Sequence, residues 1–257
     1  MSYDPNYVYN DDEEEMQDEE DAEGWEGSDF EDEEEEQADD DDSSWKVRRG
    51  AIAVLEAVVK TRPDFLKIII KSHSLNLVDR FKERVDDVKC NLLSMFESLL
   101  VQSTKTIPES IDTELAHKTS LERRDSVGGM VTDMSAPIVK GLVKQLKHKN
   151  LKVRIAALST LSCLALTVQE KLDAHFAEIF PELVKTIDET QSIEPILHAL
   201  SVLRRLFRTY KPAMPANFHS NFDEIKTLLV KALNHEYSKV QREGLRVSSS
   251  FLNTLRA

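Results

Sequence analysis

Five helical segments of this chain open on the same apolar pattern, and that recurrence limits its folds more than any other feature. The first reads Trp45-Lys46-Val47-Arg48-Arg49-Gly50-Ala51. The others begin at Val88-Lys89, Val153-Arg154, Ile196-Leu197 and Val240-Gln241. Measured between the apolar anchors Val47, Val88, Val153, Ile196 and Val240, the spacings are 41, 65, 43 and 44 residues. After Val47, apolar residues recur at Ala51, Val54, Leu55 and Val58, which lie on one face of a helix. A second helix follows over Phe65 to Phe81, separated by Arg62-Pro63-Asp64 and interrupted near Ser72-His73-Ser74.

A repeat of about 40–47 residues built from helix pairs is the mark of a HEAT or armadillo stack. Such stacks mostly bind other proteins along an extended surface. The fold class is therefore all-α: a HEAT-repeat α-solenoid preceded by a disordered acidic segment. Residues 1–43 form that segment, and 44–257 the solenoid, with an insertion at about 103–133 that accounts for the one long spacing. The insertion holds Pro108 and Gly128-Gly129. Periodicity resumes at Pro137 with Ile138, Leu142, Val143 and Leu146, then Val153, Ala157, Leu161 and Leu164. A further helix spans about Ala174–Ile187, kinked at Pro181, and its partner starts near Pro195, where a first turn tolerates proline. The last pair runs from Phe222 to Leu233 and through Val240, Val247 and Phe251. Four residues after each anchor stand Ala51, Leu92, Ala157, Leu200 and Gly244, mostly small, as close helix approach requires. The first anchor helix has no outer partner before it and the last has no polar cap, so we expect a middle slice of a longer stack.

Charge is unevenly spread. The chain carries 47 acidic and 33 basic residues, but residues 1–42 hold 23 of the acids and no Lys or Arg. That density of like charge, with little apolar surface, opposes ordering. Ser44 is the expected N-cap of the first helix, with Asp41 and Asp42 near its positive end.

No phosphate-binding loop, HExxH, CxxC or Gly-x-Ser-x-Gly occurs, and the seven histidines form no pair at three or four residues' spacing. We expect no enzyme, no cofactor and no metal. Cys90 and Cys163, the two cysteines, fall on buried helix positions and read as reduced core thiols. No signal peptide and no 18-residue apolar run is found, so no membrane partner is expected. The location expected is cytoplasmic and nuclear. Nucleic acid and a small-molecule substrate are likewise not expected, since the basic surplus of the body is modest and the acidic segment would compete with phosphates.

The basic residues near the anchors have two open roles. Arg48, Arg49, Lys89, Arg154, Lys239 and Arg242 either form an internal ladder with acids such as Asp86 and Asp87, or make a strip that touches an acidic partner. Arg204, Arg205 and Arg208 on the fourth anchor helix, with Arg48 and Arg49, are the candidate partner contacts. Ser126, after Arg123-Arg124-Asp125, and Ser28, before Asp29-Phe30-Glu31, are candidate phosphorylation sites, where a phosphate would add nearly two negative charges.

Certain stretches resemble a known family. Ser2-Tyr3-Asp4-Pro5-Asn6-Tyr7, the acidic run ending at Asp42, and Ser44-Trp45-Lys46-Val47-Arg48-Arg49 are similar to the cullin-associated and neddylation-dissociated family. So is Leu77-Val78-Asp79-Arg80-Phe81-Lys82-Glu83-Arg84 followed by Asp87-Val88-Lys89. The resemblance implies a fragment from the amino-terminal half of a long non-enzymatic HEAT solenoid. It implies a cullin–RING core lacking NEDD8 as partner, and a role in assembly and substrate-receptor exchange of SCF-type ubiquitin ligases. An importin-β-like transport receptor, using its acidic loop for a Ran-type GTPase or basic cargo, is the alternative.

Overall fold

A computed structural model of the chain describes residues 43–105, 126–189, 192–209 and 220–255. All the regular structure among them is helical. α1 (Ser44–Thr61) ends at a short 3₁₀ turn, Pro63–Phe65, because Pro63 supplies no backbone donor. α2 (Leu66–Asp79) leads through a 3₁₀ turn, Arg80–Lys82, into α3 (Asp86–Lys105), whose first turn carries Asp86 and Asp87 against the positive end of the helix. α4 (Val127–Asp133), α5 (Ser135–Leu146) and α6 (Leu151–Val168) follow. A 3₁₀ stretch, Gln169–His175, joins α6 to α7 (Phe176–Glu189). α8 (Ile193–Thr209), α9 (Phe222–Leu233) and α10 (Ser238–Leu255) complete the order.

The anchors open α1, α3, α6, α8 and α10, and these five helices pack in that sequence, each on the next. α2, α5 and α7 form a second layer, and α5 and α9 pack on α6 and α10 of the first. One apolar core runs through the stack, and the anchors Val88, Val153, Ile196 and Val240 are all essentially buried in it. Phe81 anchors its centre, set edge to face on Phe96 with ring centroids 5.4 Å apart. Gly141 lets Phe81 sit there: a Cβ on residue 141 would come within 2.9 Å of the ring. Gly244 does the same between α9 and α10, where a Cβ would lie 3.1 Å from that of Ala232. Close approach four residues after an anchor is thus realised at Gly244 and at the fully buried Ala157, while Ala51 faces solvent.

Several expectations change. α1 starts at Ser44, with Ser43 at the cap position, and Ser44 Oγ instead accepts from Arg48. α2 is unbroken, because buried Ser74 satisfies its hydroxyl on the carbonyl of Ile70 one turn back. The long spacing is narrower at both ends than 103–133: α3 continues to Lys105, and Val127–Asp133 is a helix packed on α2 and α6. Pro181 lies inside α7 on its exposed side, so the carbonyl it leaves unbonded is that of exposed Ala177. The expected turn from Lys211 to Pro215 and the acidic segment lie outside the described residues. α6 is, among the described residues, the helix long and apolar enough to cross a membrane by length and composition, and its burial at the middle of the stack accounts for that composition.

Candidate partner-binding surface

The anchor helices present their polar residues along one layer, and the structure sorts the basic ones by what holds them. Arg48 grips Glu83 with two nitrogens, at 3.0 and 3.1 Å, and so ties α1 to the turn before α3. Burial alone would raise the Glu83 carboxyl. Hydrogen bonds from Arg48 and from the backbone N–H groups of Val85 and Arg84, with the Arg48 charge, outweigh it and hold the carboxyl below its ordinary value. Arg204 donates to Glu243 of α10 at 2.6 Å, and Arg246 reaches the same carboxylate at 3.1 Å. Glu243 is buried, so this pair is a clamp between repeats. Arg205 donates to the carbonyl of Ser162 at 3.1 Å, joining α8 to α6.

Of the five candidate contacts, then, Arg48, Arg204 and Arg205 are spent inside the stack. Arg49 and Arg208 are exposed and make no ion pair among the described residues. Of the six residues of the expected internal ladder, Arg48 alone makes an ion pair with an acid among the described residues, and that acid is Glu83; the Glu243 clamp is built on Arg204 and Arg246. Ser126 caps α4, accepting from the Gly129 N–H at 3.1 Å, and is exposed. Ser28, Arg123 and Arg124 lie outside the described residues.

A polar cluster that the sequence does not announce joins α3 to the turn between α5 and α6. Lys89, only 7% exposed, places Nζ 3.1 Å from His148 Nε2. Asp86 Oδ1 lies 3.5 Å from the same nitrogen, and Asp86 Oδ2 accepts from Asn150 at 2.7 Å. His148 Nδ1 accepts the Asn150 N–H at 3.1 Å. Burial pushes Lys89 down, against the opposing pull of Asp86 and Glu83. Burial and the Lys89 charge push His148 down in turn. Arg154 donates to the His148 carbonyl at 3.1 Å. The same turn recurs two repeats on: His235 Nδ1 accepts the Tyr237 N–H at 3.2 Å, and Gln241 donates to the His235 carbonyl at 2.7 Å. The recurrence marks a turn staple that fixes the angle between paired helices.

The cysteines are quiet. Burial, with the Glu97 charge, raises the Cys163 thiol to about 11. Burial raises Cys90 as well, with Asp87 and Asp86 adding to it. Neither is a thiolate at neutral pH.

An open groove of about 400 Å³ crosses the anchor layer, walled by Arg49, Asp87, Lys152 and Glu194. A second, of about 610 Å³, lies between the α5–α6 turn and the end of α7 and includes Arg154, Glu182 and Lys185.

No family model matches the chain. It is similar to the Cullin-associated NEDD8-dissociated protein 1 of Arabidopsis thaliana, 29% identical over 257 residues, covering 100% of this chain and 20% of that protein. The protein of that name from Drosophila melanogaster is 26% identical over the same span, again 20% of its length. Cullin-associated NEDD8-dissociated protein 2 of Mus musculus is 30% identical over 213 residues, 82% of this chain and 17% of that one. Among solved structures, an engineered protein superposes with a TM-score of 0.46 at 17% identity, over 83% of this chain and 94% of its own. An archaeal HEAT-like repeat protein from Thermococcus onnurineus superposes with a TM-score of 0.41 at 12% identity, over 83% and 85%. The sequence likeness runs the full length of the chain, and makes it a relative of the Cullin-associated NEDD8-dissociated proteins, of whose length it spans about a fifth or less.

Proposed function

We propose that this chain is a non-enzymatic binding segment that contacts a cullin–RING core lacking NEDD8, and so takes part in the assembly and substrate-receptor exchange of SCF-type ubiquitin ligases. The observation that carries the proposal is the likeness, over the whole chain, to relatives whose names record cullin association and NEDD8 dissociation. The helix stack supports it physically, since stacked repeats offer an extended surface to a large partner. Arg49 and Arg208, exposed and without an internal ion pair, are the basic residues we assign to that contact in preference to Arg48, Arg204 and Arg205. We place the chain in cytoplasm and nucleus.

The test is a pull-down of the chain against a purified cullin–RING core, bare and NEDD8-modified. We expect retention of the bare core, loss of retention on modification, and weakening by a double Arg49→Glu, Arg208→Glu variant. Equal retention of both forms, or of neither, contradicts the proposal.

A further inference from the structure

The charged side chains of the anchor layer differ in what holds them. Arg48, Arg154, Arg204 and Arg205 are held by partners inside the stack. Arg49, Asp87, Lys152 and Glu194 are not: among the described residues none of their side chains makes an ion pair or a hydrogen bond. These four share one place, the open groove of about 400 Å³, where half-buried Cys90 and Ile155 also line the wall.

Their order is regular. Arg49 belongs to α1, Asp87 to α3, Lys152 to α6 and Glu194 to α8, which are successive helices of the layer. The sign therefore alternates, plus, minus, plus, minus, along the stacking direction. Packed helices lie about 8–10 Å apart. A polyproline II segment has three residues per turn and rises about 3.1 Å per residue, so every third side chain returns to the same face about 9 Å further on. A β-strand cannot match this, because its side chains alternate faces at every residue and third neighbours point apart.

We propose that the groove binds an extended, polyproline-like segment of a protein partner that carries acid, base, acid and base at every third position. Each charge of the segment then meets one of opposite sign, from Arg49 to Glu194, and only one chain direction satisfies all four. The proposal does not depend on which protein supplies the segment; it shares Arg49 with the surface assigned to the cullin–RING core, whereas Lys152 belongs to the groove alone.

The test is fluorescence anisotropy with a short labelled peptide bearing Glu, Lys, Glu and Lys at every third position, separated by Pro and Ala. The control has the same composition in the order Glu, Glu, Lys, Lys, which sets two attractions against two repulsions. Because it makes four attractions where the control makes two attractions and two repulsions, we expect the alternating peptide to bind about tenfold more tightly, an advantage that shrinks as salt rises. Lys152 is exposed, so Lys152→Glu leaves the fold intact by circular dichroism. It should weaken the alternating peptide about fivefold, and a peptide with Lys at the third charged position should recover the loss. Equal binding of the two peptides, binding of neither, or a Lys152→Glu loss that the matched peptide does not restore overturns the proposal.

Discussion

Helices α1 and α6 open alike, on a valine followed by an arginine, and end in opposite surroundings. In α6, Val153 is fully buried and ten more residues of the helix are buried with it. In α1, Val47 is 75% exposed, Val54 66% exposed, and Val59 alone is buried. The patterns differ: α1 is amphipathic, whereas α6 is apolar nearly all round. The neighbours differ with them: α6 is packed by α3, α8, α5 and α4, whereas α1 touches chiefly α3 and the turn at Pro63–Phe65. In a stack each unit contacts only those beside it, so burial belongs to a position in the array. The anchor pattern prescribes which face of a helix is apolar, and the adjacent helices decide whether that face is covered.

The most forceful way to break this comparison is truncation of one apolar side chain in each helix. Leu161→Ala in α6 removes a fully buried residue and should cost about 3 kcal/mol or more. Val54→Ala in α1 should stay within about 0.5 kcal/mol. Urea midpoints measure both, and comparable losses would refute the distinction.

The interhelix clamps should differ next. Glu243→Ala strips the partner from half-buried Arg204 and should cost about 2 kcal/mol, less than a wholly buried pair because the guanidinium keeps some water. Arg48→Met in α1 breaks a pair whose arginine side chain is 36% exposed, and should cost under about 1 kcal/mol.

A pH series sharpens the contrast. Glu83 is held below its ordinary value of 4.5 despite burial, by Arg48 above all. Glu56 is also held down against burial, by Lys60, Ser98 and Ser94. A carboxyl with a depressed folded pKa lends stability that is fully present above the unfolded pKa and is lost as pH falls through the folded one. Stability should therefore decline on acidification below about pH 4.5, and Arg48→Met should flatten that decline. An acid slope unchanged in Arg48→Met would show that Glu83 does not contribute to it.

The smallest effect expected is a gain. Gln169, which ends α6, has φ 52° and ψ −131°, a conformation side chains disfavour. Gln169→Gly should stabilise by about 0.5 kcal/mol, read as a rise in Tm.

Much of this architecture is legible in the residues. The anchors Val153, Ile196 and Val240 recur 43 and 44 residues apart, and Val88 beyond the one long gap, each with apolar neighbours one helical turn away, a local signal that needs no partner to be read. α4 was not legible, because Gly128-Gly129 punctuates like a loop. The Ser126 cap and contacts with α2 and α6 hold the helix in spite of its glycines. The Lys89–His148–Asp86 cluster was hidden for a different reason: its members lie some 60 residues apart, so no spacing rule reports them. The roles of Arg204 and Arg205 depend on Glu243 and Ser162, far away in sequence. One sign of the first was present. Glu243 falls on the apolar face of α10 between Val240 and Val247, where an acid needs a cationic partner.

Amide hydrogen exchange of the full chain tests the neighbour-governed account most directly. It predicts that residues 155–168 of α6 exchange last, by global opening, and that residues 47–58 of α1 exchange much sooner, through local opening. Protection in α1 equal to that in α6 would contradict it, and would mean that the face bearing Val47 and Val54 is covered in solution.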